Sequence, residues 1–195
     1  MLANIGPTHK SIIFDLLDPE YNYDKLPSGY NGAPFLGILI KELLNKGHEI
    51  IAITTSINFD HNSQNETFYG RKFKWIVIPS RKHSFRRNGK KPGRILDFFR
   101  HERIGINNAI IQEKPDFIHA HWAYEFAGAI KNSRIPHLIT IHDNPYRVLK
   151  YMPNFYRLGR LFMSEWALSG ASYVSTVSDY MKGYASKRSR ELRII

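Results

Sequence analysis

Two short apolar runs built to one plan constrain this chain more than any other feature. Pro115-Asp116-Phe117-Ile118-His119-Ala120-His121-Trp122 and Pro136-His137-Leu138-Ile139-Thr140-Ile141-His142-Asp143 each turn polar at the carboxyl end. A segment with helical periodicity follows each. Runs that are apolar on successive residues and alternate with helices indicate strands buried on both faces, as in a parallel sheet covered by helices.

The rest of the chain fits that plan. Residues 11–17 read as a first strand, followed by a polar, turn-rich loop to position 32. Pro34 opens a helix to about residue 46, with Leu36, Leu39, Ile40, Leu43 and Leu44 on one face. Gly47 closes it. Residues 49–55 and 73–79 read as further strands, and residues 94–114 as a helix. Strands over 116–121 and 137–142 flank a short helix near 123–132. A helix over 154–169 precedes a strand over 173–177, and Ser178 is placed to cap a helix starting at Asp179. Residues 192–195 read as one more strand. The expected fold is a doubly wound, mainly parallel α/β domain, Rossmann-like, spanning residues 1–195.

Composition narrows the function classes. At 195 residues, with 43% hydrophobic and 23% charged residues, the chain supports one sizeable core. It has no cysteine, which excludes disulfides, zinc–thiolate sites and cysteine nucleophiles. Residues 1–7 lack a signal-peptide apolar region, so the expected location is cytoplasmic. No apolar run approaches the roughly 20 residues of a membrane span. The net charge of +11 points to an anionic partner. Much of it is local: twelve Lys or Arg stand at positions 71, 72, 74, 81, 82, 86, 87, 90, 91, 94, 100 and 103, against Asp97 and Glu102.

Three constellations can carry chemistry. In the loop Pro27-Ser28-Gly29-Tyr30-Asn31-Gly32-Ala33-Pro34, Gly29 and Gly32 allow close backbone approach ahead of a helix N-terminus, which suits a phosphate. It is neither a Walker A loop nor a clean GxGxxG, and a turn without a ligand explains it equally well. His119 and His121 share one strand face, and His142 with Asp143 lies on an expected neighbouring strand. His119, earlier in its strand, reads as a core residue. His142, beside Asp143 and the Asn144-Pro145 turn, can donate a hydrogen bond to a sugar hydroxyl or phosphate. His119 and His121 could form a metal pair that His142 would complete, as in a metal-dependent hydrolase, but the further ligands are not clear, so no metal is expected. In the basic stretch, Arg81, Lys82, Arg86, Arg87, Lys90 and Lys91 suit anionic lipid headgroups, with Phe85, Phe98 and Phe99 as a shallow apolar anchor; a solvated loop is the plainer account. No recognised RNA motif supports a nucleic-acid partner.

With these residues in place, the chain resembles the N-terminal half of GT-B glycosyltransferases of the family 4 type. Leu44-Asn45-Lys46-Gly47-His48-Glu49-Ile50 is similar to L-x-x-x-G-H-x-V, and Lys114 to His121 to P-D-[VI]-[IV]-H-x-H. Pro136 to Asp143 is similar to P-x-[VI]-x-T-x-H-D, and Ala171 to Ser178 to A-D-x-[VI]-x-[AT]-V-S. The resemblance implies a retaining transferase that moves a sugar from a nucleotide-sugar substrate to a glycan or lipid-linked acceptor, as in lipopolysaccharide and capsule synthesis, without a metal or other cofactor. It implies backbone contacts from Gly29 and Gly32 to the donor diphosphate, although the family often has adjacent glycines there. It assigns His142 to the reacting end of the donor, with His121, Asp143 and Asn144 as contacts of the acceptor or the donor sugar. It places the basic loop where relatives bind acceptors or the inner face of the membrane. It further implies that a second, donor-binding Rossmann domain is absent from this chain, and that the chain alone lacks substantial activity. The alternative is a non-catalytic basic module that binds an anionic membrane or polymer.

Overall fold

The computed structural model of the protein describes residues 1–59, 62–169, 171–187 and 189–194. Within them, β1 (Leu2–Ile5), β2 (Ile50–Ser56), β3 (Glu66–Gly70), β4 (Phe73–Pro79), β5 (Phe117–His121), β6 (His137–Ile141), β7 (Ala171–Thr176) and β8 (Ser189–Ile194) form one sheet. The strand order is β3-β4-β2-β1-β5-β6-β7-β8. Every pairing is parallel except that of β3 with β4. The helices are α1 (Lys10–Ile13), α2 (Phe35–Asn45), α3 (Arg100–Glu113), α4 (Glu125–Ile130), α5 (Pro145–Tyr151), α6 (Phe155–Leu168) and α7 (Lys182–Ala185). The chain leaves β1 for β2 on one side and later returns to β5 on the other. That reversal is the switch point where an open α/β sheet leaves a crevice at its carboxyl edge.

The register explains why the runs are apolar on successive residues. Ile5, Ile53, Ile76, Ala120, Ile139 and Val174 fall in line across the sheet. They pack under Ile106 and Ile110 of α3, Phe126 and Ile130 of α4, and Leu168 of α6. Burying each such aliphatic side chain contributes roughly 1.5–3 kcal/mol. On the opposite face, Ile50, Ala52, Phe73, Trp75 and Val77 pack against Ile13, Leu17, Leu26 and Ile40. Moving along that second face from β2 to β7, the residues in line change character. Asn4 pairs with Ala52 and His119, and His121 pairs with Thr140, which pairs with Ser175. One face of the central strands is therefore aliphatic and the other carries a polar seam.

The structure departs from the sequence expectation at several elements. The first strand is β1, not residues 11–17, which form α1 and a 3₁₀ turn over Phe14–Leu16. Buried Ile13 and Leu17 sit one helical turn apart, and the His9 side chain accepts from the Ser11 N–H to cap α1. β3 is too polar to show an alternating pattern and sits at the sheet edge. The helix expected from residue 94 begins only at Arg100, because Phe98 and Phe99 adopt left-handed backbone angles. The Asn144-Pro145 turn opens α5, with Asn144 Oδ1 accepting from the N–H groups of Tyr146 and Arg147. Ser178 makes no side-chain cap; its carbonyl instead accepts from the Thr176 hydroxyl. The strand expected at the C-terminus is β8, and Ile195 lies outside the described residues.

Candidate active site

The carboxyl ends of β1, β5 and β6 bring three polar side chains into one hydrogen-bonded line, with a second set beside it. Asn4 Nδ2 lies 3.3 Å from His121 Nε2, and His121 Nδ1 lies 3.2 Å from His142 Nε2. His119 Nε2 lies 2.7 Å from Thr140 Oγ1, which is 2.6 Å from Ser175 Oγ. The imidazoles of His119 and His121 stack at 4.1 Å between centroids. Phe35, the first residue of α2, covers the ring of His142 at 4.8 Å. Gly6 makes room for His121: a Cβ there would come 3.1 Å from the His121 Cβ.

Burial keeps these imidazoles neutral. It pushes His119 and His142 down to about 4. His121, the most enclosed, is held well below its ordinary value by burial and then by its two histidine neighbours. Neutrality fixes the tautomers along the line. The Asn4 amide donates to His121 Nε2, so the His121 proton sits on Nδ1 and is donated to His142 Nε2. His142 then carries its own proton on Nδ1, which has no partner among the described residues. The sequence thus leaves an uncharged N–H donor at the carboxyl edge of the sheet.

Asp143 stands beside it. The Tyr124 hydroxyl donates to Asp143 Oδ2 at 2.7 Å, while Asp143 Oδ1 is buried without a partner. Burial raises the Asp143 carboxyl above its usual range, against the opposing pull of Tyr124 and Arg160. Tyr124 is held in turn by Arg160, whose guanidinium stacks 3.6 Å from the tyrosine ring centroid and pairs with Glu125 at 2.6 Å. Tyr30, packed on Trp122, is pushed up to about 12 by burial and the charge of Glu125. Asn144, expected as a sugar contact, spends its side-chain oxygen on capping α5.

Gly29 and Gly32 lie in the loop that leads into α2, as expected, but their surroundings differ. Gly29 has φ of 70°, and a Cβ there would sit 2.2 Å from the Thr8 carbonyl oxygen. Packing on the chain itself is enough to require that glycine. Gly32 is exposed beside the ring of Trp122, at the rim of the crevice.

The basic residues divide. Lys82, Arg86, Arg87 and Lys90 are exposed. Lys91 is half-buried and donates to Asn62 Oδ1 at 3.3 Å. Arg81 is a correction to the surface group: it is buried, with its guanidinium bound to Asp97 and Glu102. Phe99 is likewise buried and Phe98 packs on Trp166, so of the three expected anchor residues only Phe85 is exposed. Among the described residues, no group of three His, Asp or Glu side chains is placed to hold a metal, and no helix is long and apolar enough to cross a membrane. The site residues that sequence reasoning missed are Asn4, Phe35, Tyr124, Thr140, Ser175 and Arg160. The one signal for them was the polar Asn4 inside the apolar run Leu2-Ala3-Asn4-Ile5.

The family model described as Glycosyltransferase Family 4 matches residues 35–195. No curated protein matches the sequence. Among solved structures, sucrose-phosphate synthase (tll1590) from Thermosynechococcus elongatus is similar, with a TM-score of 0.61 at 13% identity. The match covers 100% of this chain and 47% of that one, so this chain spans about half the length of that structure. At that identity the likeness is one of fold, the Rossmann-like α/β fold of a GT-B glycosyltransferase.

Proposed function

Because this chain belongs to glycosyltransferase family 4, we propose that it forms the acceptor-side half of an enzyme that transfers a sugar from a nucleotide-sugar to a glycan or lipid-linked acceptor, with retention, in bacterial surface polysaccharide synthesis. In that reaction the bond from the anomeric carbon to the diphosphate oxygen breaks, and its electron pair leaves with the nucleoside diphosphate. The acceptor hydroxyl oxygen forms the new bond and gives up its proton to the departing diphosphate oxygen. The observation that carries the reading is the neutral line from Asn4 through His121 to His142, which leaves the His142 Nδ1–H without a partner among the described residues at the carboxyl edge of the sheet.

In this reading the His142 Nδ1–H donates to an oxygen of the donor sugar or its phosphate, and Asp143 accepts from a sugar hydroxyl through its unpartnered Oδ1. His121 acts through His142, and Asn144 acts by fixing the start of α5. Gly32 remains available to bring a backbone amide to the diphosphate, while Gly29 shapes the loop. A site with half its groups lacks most of its preorganised stabilisation, so the chain alone turns over little or no substrate. The exposed cations after β4 support a position at the cytoplasmic face of the membrane, next to lipid-linked acceptors.

A transfer assay with a panel of radiolabelled nucleotide sugars, paired with equilibrium dialysis, tests this. The expected result is donor binding that His142→Ala abolishes, with no turnover by the chain alone. Turnover by the isolated chain refutes the half-site argument, and donor binding that survives His142→Ala refutes the role of His142. A second reading, a non-catalytic module for anionic membranes or polymers, is favoured by the exposed side chains of Lys82, Arg86, Arg87 and Lys90, which have no ion-pair partner among the described residues. It predicts binding that depends on those residues and no nucleotide-sugar binding at all.

A further inference from the structure

The basic loop after β4 is a built structure. Arg81 reaches Asp97 with two bonds of 2.8 Å, and Glu102 with bonds of 2.7 and 3.1 Å. This ties the start of the loop to its end and to the first turn of α3. Buried Asn88 holds the tip: its Oδ1 accepts from the His83 N–H at 2.9 Å, and its Nδ2 donates to the carbonyls of His83 and Pro92. Asn88 and Lys91 exchange backbone hydrogen bonds across a tight turn in which Gly89 has φ of 61°.

The loop frames a cavity of about 370 Å³ at the carboxyl ends of β2 and β4, lined by Asn58, Phe59, Lys82, His83, Arg87 and Asn88. The side chains of Lys82 and Arg87 make no hydrogen bond or ion pair among the described residues. The two acidic residues between positions 80 and 103, Asp97 and Glu102, are turned inward onto Arg81. Two cations without an ion-pair partner among the described residues, an imidazole and amide groups therefore surround a concave space on a hydrogen-bonded frame. That combination suits a phosphate, which takes a fork of bonds from Arg and a point charge from Lys.

The geometry points to a phosphate-binding site in this cavity, with Lys82 and Arg87 supplying charge and His83 and Asn58 supplying hydrogen bonds. The ligand class is a phosphate monoester or diester, carried by a soluble glycan or by a lipid headgroup. The site shares the carboxyl edge with His142 but stands three to four strands away, roughly 14–19 Å at about 4.8 Å per strand. It therefore holds the far end of an acceptor rather than the reacting centre. That acceptor role rests on the transferase reading, whereas phosphate binding as such does not.

The test compares Lys82→Ala/Arg87→Ala, which strips the cavity, with Arg86→Ala/Lys90→Ala, which removes equal charge from the same loop outside it. Inorganic phosphate is titrated into ¹⁵N-labelled protein while the amides of residues 83, 88 and 89 are followed, and circular dichroism checks the fold of both variants. The cavity variant is expected to bind phosphate roughly 25-fold more weakly, about a factor of five per basic residue, with little change in the control. Equal losses in the two variants overturn the site, since they mean diffuse surface charge. So does phosphate binding that shifts no amide of the loop. Flotation with phosphatidylglycerol vesicles then separates the sources. Membrane binding lost with the cavity pair alone indicates a lipid headgroup, and no such loss indicates a soluble or glycan phosphate. Loss of the site with intact, His142-dependent donor binding would sink this inference and leave the transferase reading standing.

Discussion

Acid should unfold this protein through the histidine seam. His119, on β5, is enclosed between Thr140 and the ring of His121, and burial lowers it from 6.5 to about 4. In the unfolded chain it takes up a proton near pH 6.5, and in the fold only near pH 4. The unfolded state therefore binds more protons as pH falls. Stability is complete above about pH 7 and is lost between pH 6.5 and 4. For one histidine with those two values the loss by pH 4.5 is about 2.5 kcal/mol. His121 shifts in the same direction, and His142 adds a smaller share because it is more open to solvent. The seam as a whole therefore loses more than His119 alone, a sizeable share of the total stability of a small domain. Urea denaturation at pH 7.5, 6 and 4.5 measures it. His119→Gln keeps a nitrogen near Thr140 Oγ1 but cannot be protonated, so the variant should lose about 2.5 kcal/mol of the pH dependence. An unchanged pH slope in the variant, or a flat wild-type profile, would refute the reasoning.

Other perturbations follow from the same contacts. Arg81→Met strands Glu102, which burial would raise but which Arg81 holds below its usual range; a loss of roughly 3–5 kcal/mol by urea denaturation is expected. Gly29→Ala puts a methyl against the Thr8 carbonyl at a left-handed position, so it should cost more than about 2 kcal/mol, whereas Gly47→Ala, with open space around it, should cost about 1 kcal/mol. Tyr124→Phe removes the hydrogen bond that lowers Asp143, so the carboxyl should titrate at higher pH in ¹³C NMR than it does in the wild type. An Asp143 titration that did not move would show that Tyr124 does not hold it.

Much of the architecture was legible because burial on both faces leaves a plain trace. Ile50 to Thr55 and Trp75 to Ile78 are enclosed by helices on either side, and such runs resist any other reading. β1 escaped because it is four residues long and interrupted by Asn4, whose reason for being polar lies 117 residues away in His121. Ser11 to Leu17 misled because buried Ile13 and Leu17 fit a helical turn as well as an apolar run. Within the site, His121, His142 and Asp143 were visible as strand-end residues. Their partners were not, since Tyr124, Arg160 and Phe35 come from three helical segments that meet only in the fold. Charge was similarly ambiguous: Arg81 and Lys82 are adjacent in sequence, yet one is a buried tie and the other an exposed cation.

The central claim is that the crevice at His142 receives the sugar end of a nucleotide-sugar. Mapping amide shifts while a panel of nucleotide sugars is titrated into the ¹⁵N-labelled chain tests it most directly. The account predicts that one donor perturbs residues 30–33, 121–124 and 142–144 together, and that His142→Ala removes those shifts while Lys82→Ala/Arg87→Ala keeps them. Shifts confined to the basic loop, or unchanged by His142→Ala, would contradict it.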